Sequence, residues 1–231
     1  MQFAQVVIDL IDDIGELSYD SEDTIAIAER AYNDLTDSQK ILVSNYGVMI
    51  AARDNLPEER IKSIEKMIDE LNVYSTVEDY ENISTIICTL SNKDKAELSN
   101  LETFNIKYAA MLLTDVKLWF KADRVLDVYF NFKNNSEKTI KYMYFTIQFY
   151  NTVDDLQFVG DDLDSRCEIV GPYAKGEGII GDYWRYSYYT SQLDTWHIGR
   201  IEPTCLEIEY TDGTYVTFPA YAAKALVELV Q

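Results

Sequence analysis

The stretch DYWRYSYYTS, residues 182–191, gathers Tyr183, Trp184, Tyr186, Tyr188 and Tyr189 around Arg185. Aromatic faces with hydrogen-bonding rims suit sugar rings and protein hot spots alike. These aromatic residues are therefore the candidate binding residues of the chain, with Trp184, Tyr188 and Tyr189 foremost. Alternating aromatics in a strand also fill cores and sheet faces, and that reading stays open beside the first.

Other chemistry is sparse. A Ser-His-Asp or Cys-His arrangement would have to use His197, the single histidine, which sits beside Trp196, and no Gly-x-Ser-x-Gly elbow is present. Phosphate-cradling loops of the Gly-x-x-x-x-Gly-Lys type are missing as well. Carboxylates are so abundant that a glycosidase-like pair cannot be told from background by spacing. Asp154 and Asp155, with Asp161, Asp162 and Asp164, could gather oxygens for Ca²⁺, but they lack the order and the terminal Glu of a dedicated loop. Cys88, Cys167 and Cys205 allow at most one disulfide and offer no Cys-x-x-Cys metal spacing. Cys167 and Cys205 could pair, or both could be small core hydrophobes. The expectation is a chain without catalytic residues, metal or cofactor, and hence not an enzyme.

The 40 acidic and 20 basic residues give a formal net charge of -20. Up to Leu113 there are 22 acidic and 9 basic residues, and beyond it 18 and 11, so both halves are acidic. Such a field repels phosphate backbones and anionic membranes, and nucleic acid is not an expected partner. No run reaches the roughly 20 apolar residues of a membrane span, and the first residues lack the basic start and apolar centre of a secretory signal, so no direct membrane insertion is expected.

Positioning elements can be read from hydrophobic rhythm. Phe3, Val6, Val7, Leu10, Ile11 and Ile14 recur at helical spacing, as do Ile25, Ala28, Tyr32 and Leu35. Thr36-Asp37-Ser38-Gln39 is a capping-box pattern, predicting a helix that carries Val43, Tyr46 and Ile50 on one stripe. The plan then repeats. Leu90, Ser91, Lys95, Leu98 and Asn100 fall on Leu35, Thr36, Lys40, Val43 and Asn45, and LIDDIGELSYDSED (10–23) aligns with MIDELNVYSTVED (67–79) across a small gap. In the second copy Pro57 stands where a first helical residue would, ahead of Ile61, Ile64, Ile68 and Leu71. Ser75-Thr76-Val77-Glu78 then caps a helix bearing Tyr80, Ile83 and Ile87, and Ser91 to Asp94 offers a weaker cap. Each copy supplies three amphipathic helices, the content of a small bundle.

Ile11-Asp12-Asp13-Ile14-Gly15, Ser21-Glu22-Asp23, Ala31 to Lys40 and Val43-Ser44-Asn45-Tyr46 resemble the helical repeats of Gram-positive bacterial surface and cell-wall proteins. The resemblance covers residues 3–54, with a degenerate copy over 57–113 in which Ile87 and Leu101 replace Tyr32 and Tyr46. It implies a spacer or interaction module exposed outside the cell.

After Leu113 the period becomes two. VKLWFKA (116–122), RVLDVYFNFKN (124–134) and TIKYMYFTIQFY (139–150) read as strands, joined at Asn134-Asn135-Ser136. RCEIVG (166–171) and a segment near 197–201 add further strands, and Asp212-Gly213 marks a hairpin. The tail AYAAKALVELVQ reads as a short closing helix. Phe132 to Ser136 with Lys138 to Tyr142, Gly171-Pro172-Tyr173 with Gly176, and Leu206 to Tyr210 with Asp212-Gly213 resemble C-terminal domains of uncharacterised function in Gram-positive surface proteins, related to immunoglobulin-like sandwiches.

The expected fold is therefore α+β in two domains. Helical repeats over 1–56 and 57–113 form an all-α bundle, followed by an antiparallel β-sandwich over 114–231 with a short terminal helix. The expected function is an extracellular, cell-wall-associated spacer and protein-interaction or structural module. The alternative is a carbohydrate-binding module, so the expected partner is a protein or a cell-wall glycan.

Overall fold

The computed structural model describes residues 2–122, 125–157, 164–186 and 198–229. Helices α1 (Gln2–Asp12), α2 (Glu22–Asn33), α3 (Asp37–Lys40), α4 (Tyr46–Glu70), α5 (Val77–Cys88), α6 (Asn92–Glu97) and α7 (Leu101–Leu112) precede the strands. None of the described helices is long and apolar enough to cross a membrane. The chain divides into two compact units, one up to Leu101 and one from Glu102 onward, which groups α7 with the sheets.

In the helical unit, Ala4, Val7 and Ile11 of α1 meet Ile25 and Ala28 of α2 and Met49, Ala52 and Leu56 of α4 in one apolar cluster. Spacings of three and four residues put these side chains on single helix faces. Arg53 of α4 clasps α2 through Glu22 (2.5 Å) and Glu29 (2.6 Å). These bonds hold the Glu29 carboxyl below its usual range, the hydrogen bond from Arg53 being the main cause.

Three helix expectations need correction. The helix that begins after Thr36 lasts only four residues, and the chain restarts at Tyr46. Val43 is buried from the intervening turn, whereas Tyr46 and Ile50 are partly exposed, so the supposed stripe is not one buried face. The cause is tertiary: Asn45 Nδ2 donates to Ile8 O (2.9 Å) and to Asp12 Oδ1 (2.8 Å), tying the break to α1. Next, Pro57 does not open a new helix but lies inside α4, which serves both repeats without interruption. Finally, α5 is capped by Thr76, not Ser75. Thr76 N–H donates to Asp79 Oδ2 (2.7 Å), and Asp79 N–H donates to Thr76 Oγ1 (3.3 Å).

The repeat itself is visible in the bonding. Asn100, matched to Asn45, donates from Nδ2 to Glu65 O (2.9 Å) and Asp69 Oδ1 (2.9 Å), the counterparts of Ile8 and Asp12. Two copies of one sequence phrase thus make the same side-chain anchor.

The second unit is built on β1 (Leu113–Ala122), β2 (Leu126–Asn134), β3 (Ile140–Asn151), β4 (Leu156–Gln157), β5 (Ser165–Tyr173), β6 (Gly178–Tyr186), β7 (Ile198–Tyr210), β8 (Tyr215–Pro219) and β9 (Glu228–Leu229), with α8 (Ala220–Leu226) before β9. One sheet has the order β6-β2-β1-β9, antiparallel except for the β1–β9 pair. In the other, β3 is flanked by β7 and then β8 on one side, and by β4 and β5 on the other, all antiparallel. The tail therefore does not end as the helix expected: after α8 it runs extended along β1.

Alternation sends Leu118, Val128, Phe130 and Phe132 of the first sheet inward, with Met143, Phe145, Ile147 and Phe149 of the second. The two sheets touch where Phe132 meets Tyr173 edge-on (5.1 Å) and where Trp184 Nε1 donates to Glu168 O (2.7 Å). At one corner Asn134 and Ser136, both fully buried, hold two connections together. Asn134 Nδ2 donates to Lys138 O (2.8 Å) and Tyr173 O (2.9 Å), while its Oδ1 accepts from Ser136 N (3.0 Å) and Oγ (2.8 Å). Such a buried amide is tolerable because its hydrogen-bonding capacity is met. Gly178 is required nearby, since a Cβ there would stand 1.9 Å from Phe132 O. The Asp212-Gly213 hairpin forms as expected, with Gly213 at φ +84 and Asp212 Oδ1 accepting from Thr214 N (2.9 Å).

Cys167 and Cys205 occupy strands on opposite sides of β3, and all three cysteines are free thiols. Burial pushes the Cys167 thiol up to about 12.

Candidate functional site

The candidate site is the outward face of the first sheet. In β1 the inward phase is taken by Val116 and Leu118, which leaves Lys117, Trp119 and Lys121 outside. The same alternation turns Asp127, Tyr129 and Asn131 of β2 outward. Register then aligns three rows across β1, β2 and, for the first two, β6: Trp119 with Tyr129 and Tyr183, Lys121 with Asp127 and Arg185, and Lys117 with Asn131.

The aromatic row is continuous. Trp119 and Tyr129 stack at 5.4 Å and 9°, and Tyr129 meets Tyr183 at 5.3 Å and 36°. The first pair is nearly parallel and the second tilted, both with centroids close enough to touch, so they form a ridge of touching rings and not a flat open platform. Cations border it: Lys121 Nζ lies 5.2 Å from the Tyr129 centroid, and the Arg185 guanidinium lies 5.1 Å from that of Tyr183. Arg185 is fixed by a forked pair with Asp127, at 2.7 and 2.8 Å. Although Asp127 is 7% exposed, the hydrogen bonds from Arg185 outweigh burial and keep its carboxyl below the ordinary range.

Beside the ridge lies a depression of about 310 Å³, lined by Asp115, Lys117, Asn131, Lys133 and Ile180 among others. Asn131 Oδ1 accepts from Gly181 N–H (2.7 Å), which pins the irregular part of β6 where Gly181 adopts φ +73. A larger depression, of about 460 Å³, lies in the helical unit near Met67, Asn72 and Tyr74, and holds none of the predicted binding residues.

The predicted binding residues are not brought together on one face. Tyr183 faces outward on the ridge. Trp184 is turned toward the second sheet, stacked on buried Phe130 at 4.1 Å. Tyr186 also points inward, against Phe149, with its hydroxyl 2.6 Å from Ser165 Oγ and 3.0 Å from Cys167 Sγ. Burial raises its pKa, foremost among the causes. Period-two alternation makes this split unavoidable, because neighbours in a strand cannot share a face. Tyr188, Tyr189 and His197 lie outside the described residues.

Trp119 and Tyr129 were missed by sequence reasoning. Their signal was available: Lys117 and Lys121 flank Trp119 at steps of two, as Asp127 and Asn131 flank Tyr129, marking the solvent phase of each strand. Of the acidic segment, Asp154 is paired with Arg200 (2.6 Å) and Asp155 N–H donates to Asn151 Oδ1 (2.8 Å), while residues 158–163 lie outside the described residues.

No family model and no curated protein matches the chain. Among solved structures it is similar to the Pseudomonas fluorescens alkylpurine DNA glycosylase AlkC bound to DNA containing an abasic site analog, with 8% identity and a TM-score of 0.24. That likeness covers 87% of this chain but spans only 64% of the glycosylase chain. The expectation that the chain is not an enzyme is withdrawn, as nothing in these comparisons supports it. At this TM-score the likeness transfers neither the fold nor the activity of the glycosylase.

Proposed function

We propose that the chain is an extracellular interaction module of a bacterial surface protein, with helical repeats as spacer and the outward face of the β6-β2-β1-β9 sheet as its recognition surface. The observation that carries this reading is the aligned row Trp119, Tyr129 and Tyr183 beside an Arg185 already oriented by Asp127. Trp, Tyr and Arg are the residue types that dominate binding energy in protein interfaces, and an oriented guanidinium loses little freedom when a partner arrives. The matched anchors at Asn45 and Asn100 support the repeat reading. For the second unit, an immunoglobulin-like sandwich is supported by two sheets whose inner faces are in contact and by the corner at Asn134, where Gly176 N–H donates to Asn134 O (2.7 Å).

A cell-wall glycan is the second reading, favoured by the depression lined by Lys117, Asn131 and Lys133 at the end of the ridge. A saccharide there would find polar groups beside aromatic ones. One experiment addresses both. The full chain is screened against purified Gram-positive cell-wall fragments and against host surface proteins, with Trp119→Ala and Tyr183→Ala in parallel. Either partner class should lose at least about tenfold in affinity on loss of a central aromatic. Capture that persists undiminished in both variants would end the assignment of this face.

A further inference from the structure

The two helical repeats provide an internal control on what the fold needs. Core positions are apolar in both copies: Val7 and Ile11 match Ile64 and Ile68, and Val43 matches Leu98, all buried. Surface positions differ. Ile41 (84% exposed) and Leu42 (49% exposed) are matched by Ala96 and Glu97. On the first helix of each copy, Gln5 and Ile8 are matched by Lys62 and Glu65.

Of these, Gln5, Ile8 and Leu42 line a groove of about 400 Å³ together with Gln2 and Ala4, between α1 and the turn after α3. In the second repeat the same place is polar: Lys62 pairs with Glu58 (2.7 Å) and Glu59 (2.9 Å), and Glu65 accepts from Ser99 N–H (2.8 Å). Since the second copy folds with charges at these positions, the apolar character of the first is not a folding requirement. Exposed apolar residues around a helix-lined groove mark a binding face. Charge identifies the occupant. Asp9 and Asp12 are the ionisable residues of α1, which has no Lys or Arg, and the chain as a whole is at -20. A second copy would bring the same sign of charge, whereas a cationic helix brings the complement.

We infer that this groove is a docking site for a basic amphipathic helix of a partner protein, its apolar ridge seated on Ile8 and Leu42 with its lysines or arginines toward the acidic flanks. This is the helix-in-groove mode of recognition. It is independent of the aromatic sheet face.

The test uses the full chain and a synthetic helix of about 18 residues, five turns, with leucine on one face and lysine on the other. A scrambled peptide of the same composition measures charge attraction alone. The wild-type chain should bind the ordered peptide at least about tenfold more tightly than the scrambled one. Leu42→Glu, which installs the residue of the second repeat, should erase that preference, the scale expected for withdrawing one buried leucine. The direction is diagnostic, because the added carboxylate strengthens any purely electrostatic association. Equal binding of both peptides, or unchanged or tighter binding by Leu42→Glu with the fold intact by circular dichroism, would overturn the proposal. So would sedimentation showing a wild-type dimer that Leu42→Glu dissolves, since the occupant would then be a second copy.

Discussion

Asp127 keeps its charge in a nearly closed position because Arg185 meets both of its oxygens. A carboxyl whose folded pKa is lowered contributes stability above its unfolded value of about 4, and loses it as pH falls through the folded value. Asp127→Asn should therefore lower the melting temperature at neutral pH, and the gap to wild type should stay constant down to about pH 4 and close below it. A gap that does not narrow in acid would mean the pair contributes by packing alone. The thiols give a second residue-scale expectation. With Cys88 exposed and Cys167 buried and pushed up to about 12, alkylation at pH 8 followed by mass spectrometry should label Cys88 first and Cys167 only after unfolding. Early modification of Cys167 would contradict its enclosure between the sheets.

Among the elements, the paired anchors at Asn45 and Asn100 make a matched experiment possible. Each Nδ2 satisfies a backbone carbonyl and orients a carboxylate, so Asn45→Ala and Asn100→Ala should each cost about 1–3 kcal/mol in denaturant unfolding. A large cost at one and none at the other would show that the copies no longer fold alike. Pro57→Ala should act oppositely. Proline in a helix interior lacks the N–H for the carbonyl one turn back, and restoring it should stabilise the helical unit by up to about 3 kcal/mol. Lower stability would show that α4 needs the proline. These elements also mark what was readable beforehand. Strand phases, the Asp212-Gly213 hairpin and the Ser91 cap follow from local chemistry, so the residues alone declared them. The break before Tyr46 was hidden, because a side chain on a helix distant in sequence enforces it. Whether Trp184 faces outward or into the core stayed open for the same kind of reason: its orientation depends on the phase of β6 against β2, and both phases of that segment are aromatic.

At the scale of the whole molecule, 20 excess negative charges repel one another more in the compact state than in the extended chain. Raising sodium chloride from about 0.01 to 0.3 M shortens the screening length severalfold and should raise the melting temperature by a few degrees. A flat or falling response would show that local pairs such as Arg53 with Glu29 already compensate the field. The same field predicts no retention of duplex DNA at about 0.1 M salt in a gel-shift experiment, and saturable binding there would reverse the expectation drawn from charge.

The uninterrupted α4 has a consequence for how such a chain can change length. One rod closes the first repeat and opens the second, so each residue added within it turns its second half relative to its first by about 100° and advances it by about 1.5 Å. A single insertion would swing Ile61, Ile64 and Ile68 out of phase with Met49, Ala52 and Leu56, whereas one in a connecting loop is absorbed locally. Variants of this protein should accordingly gain or lose single residues between rods, and change the rods themselves only by near-whole turns or entire duplicated units.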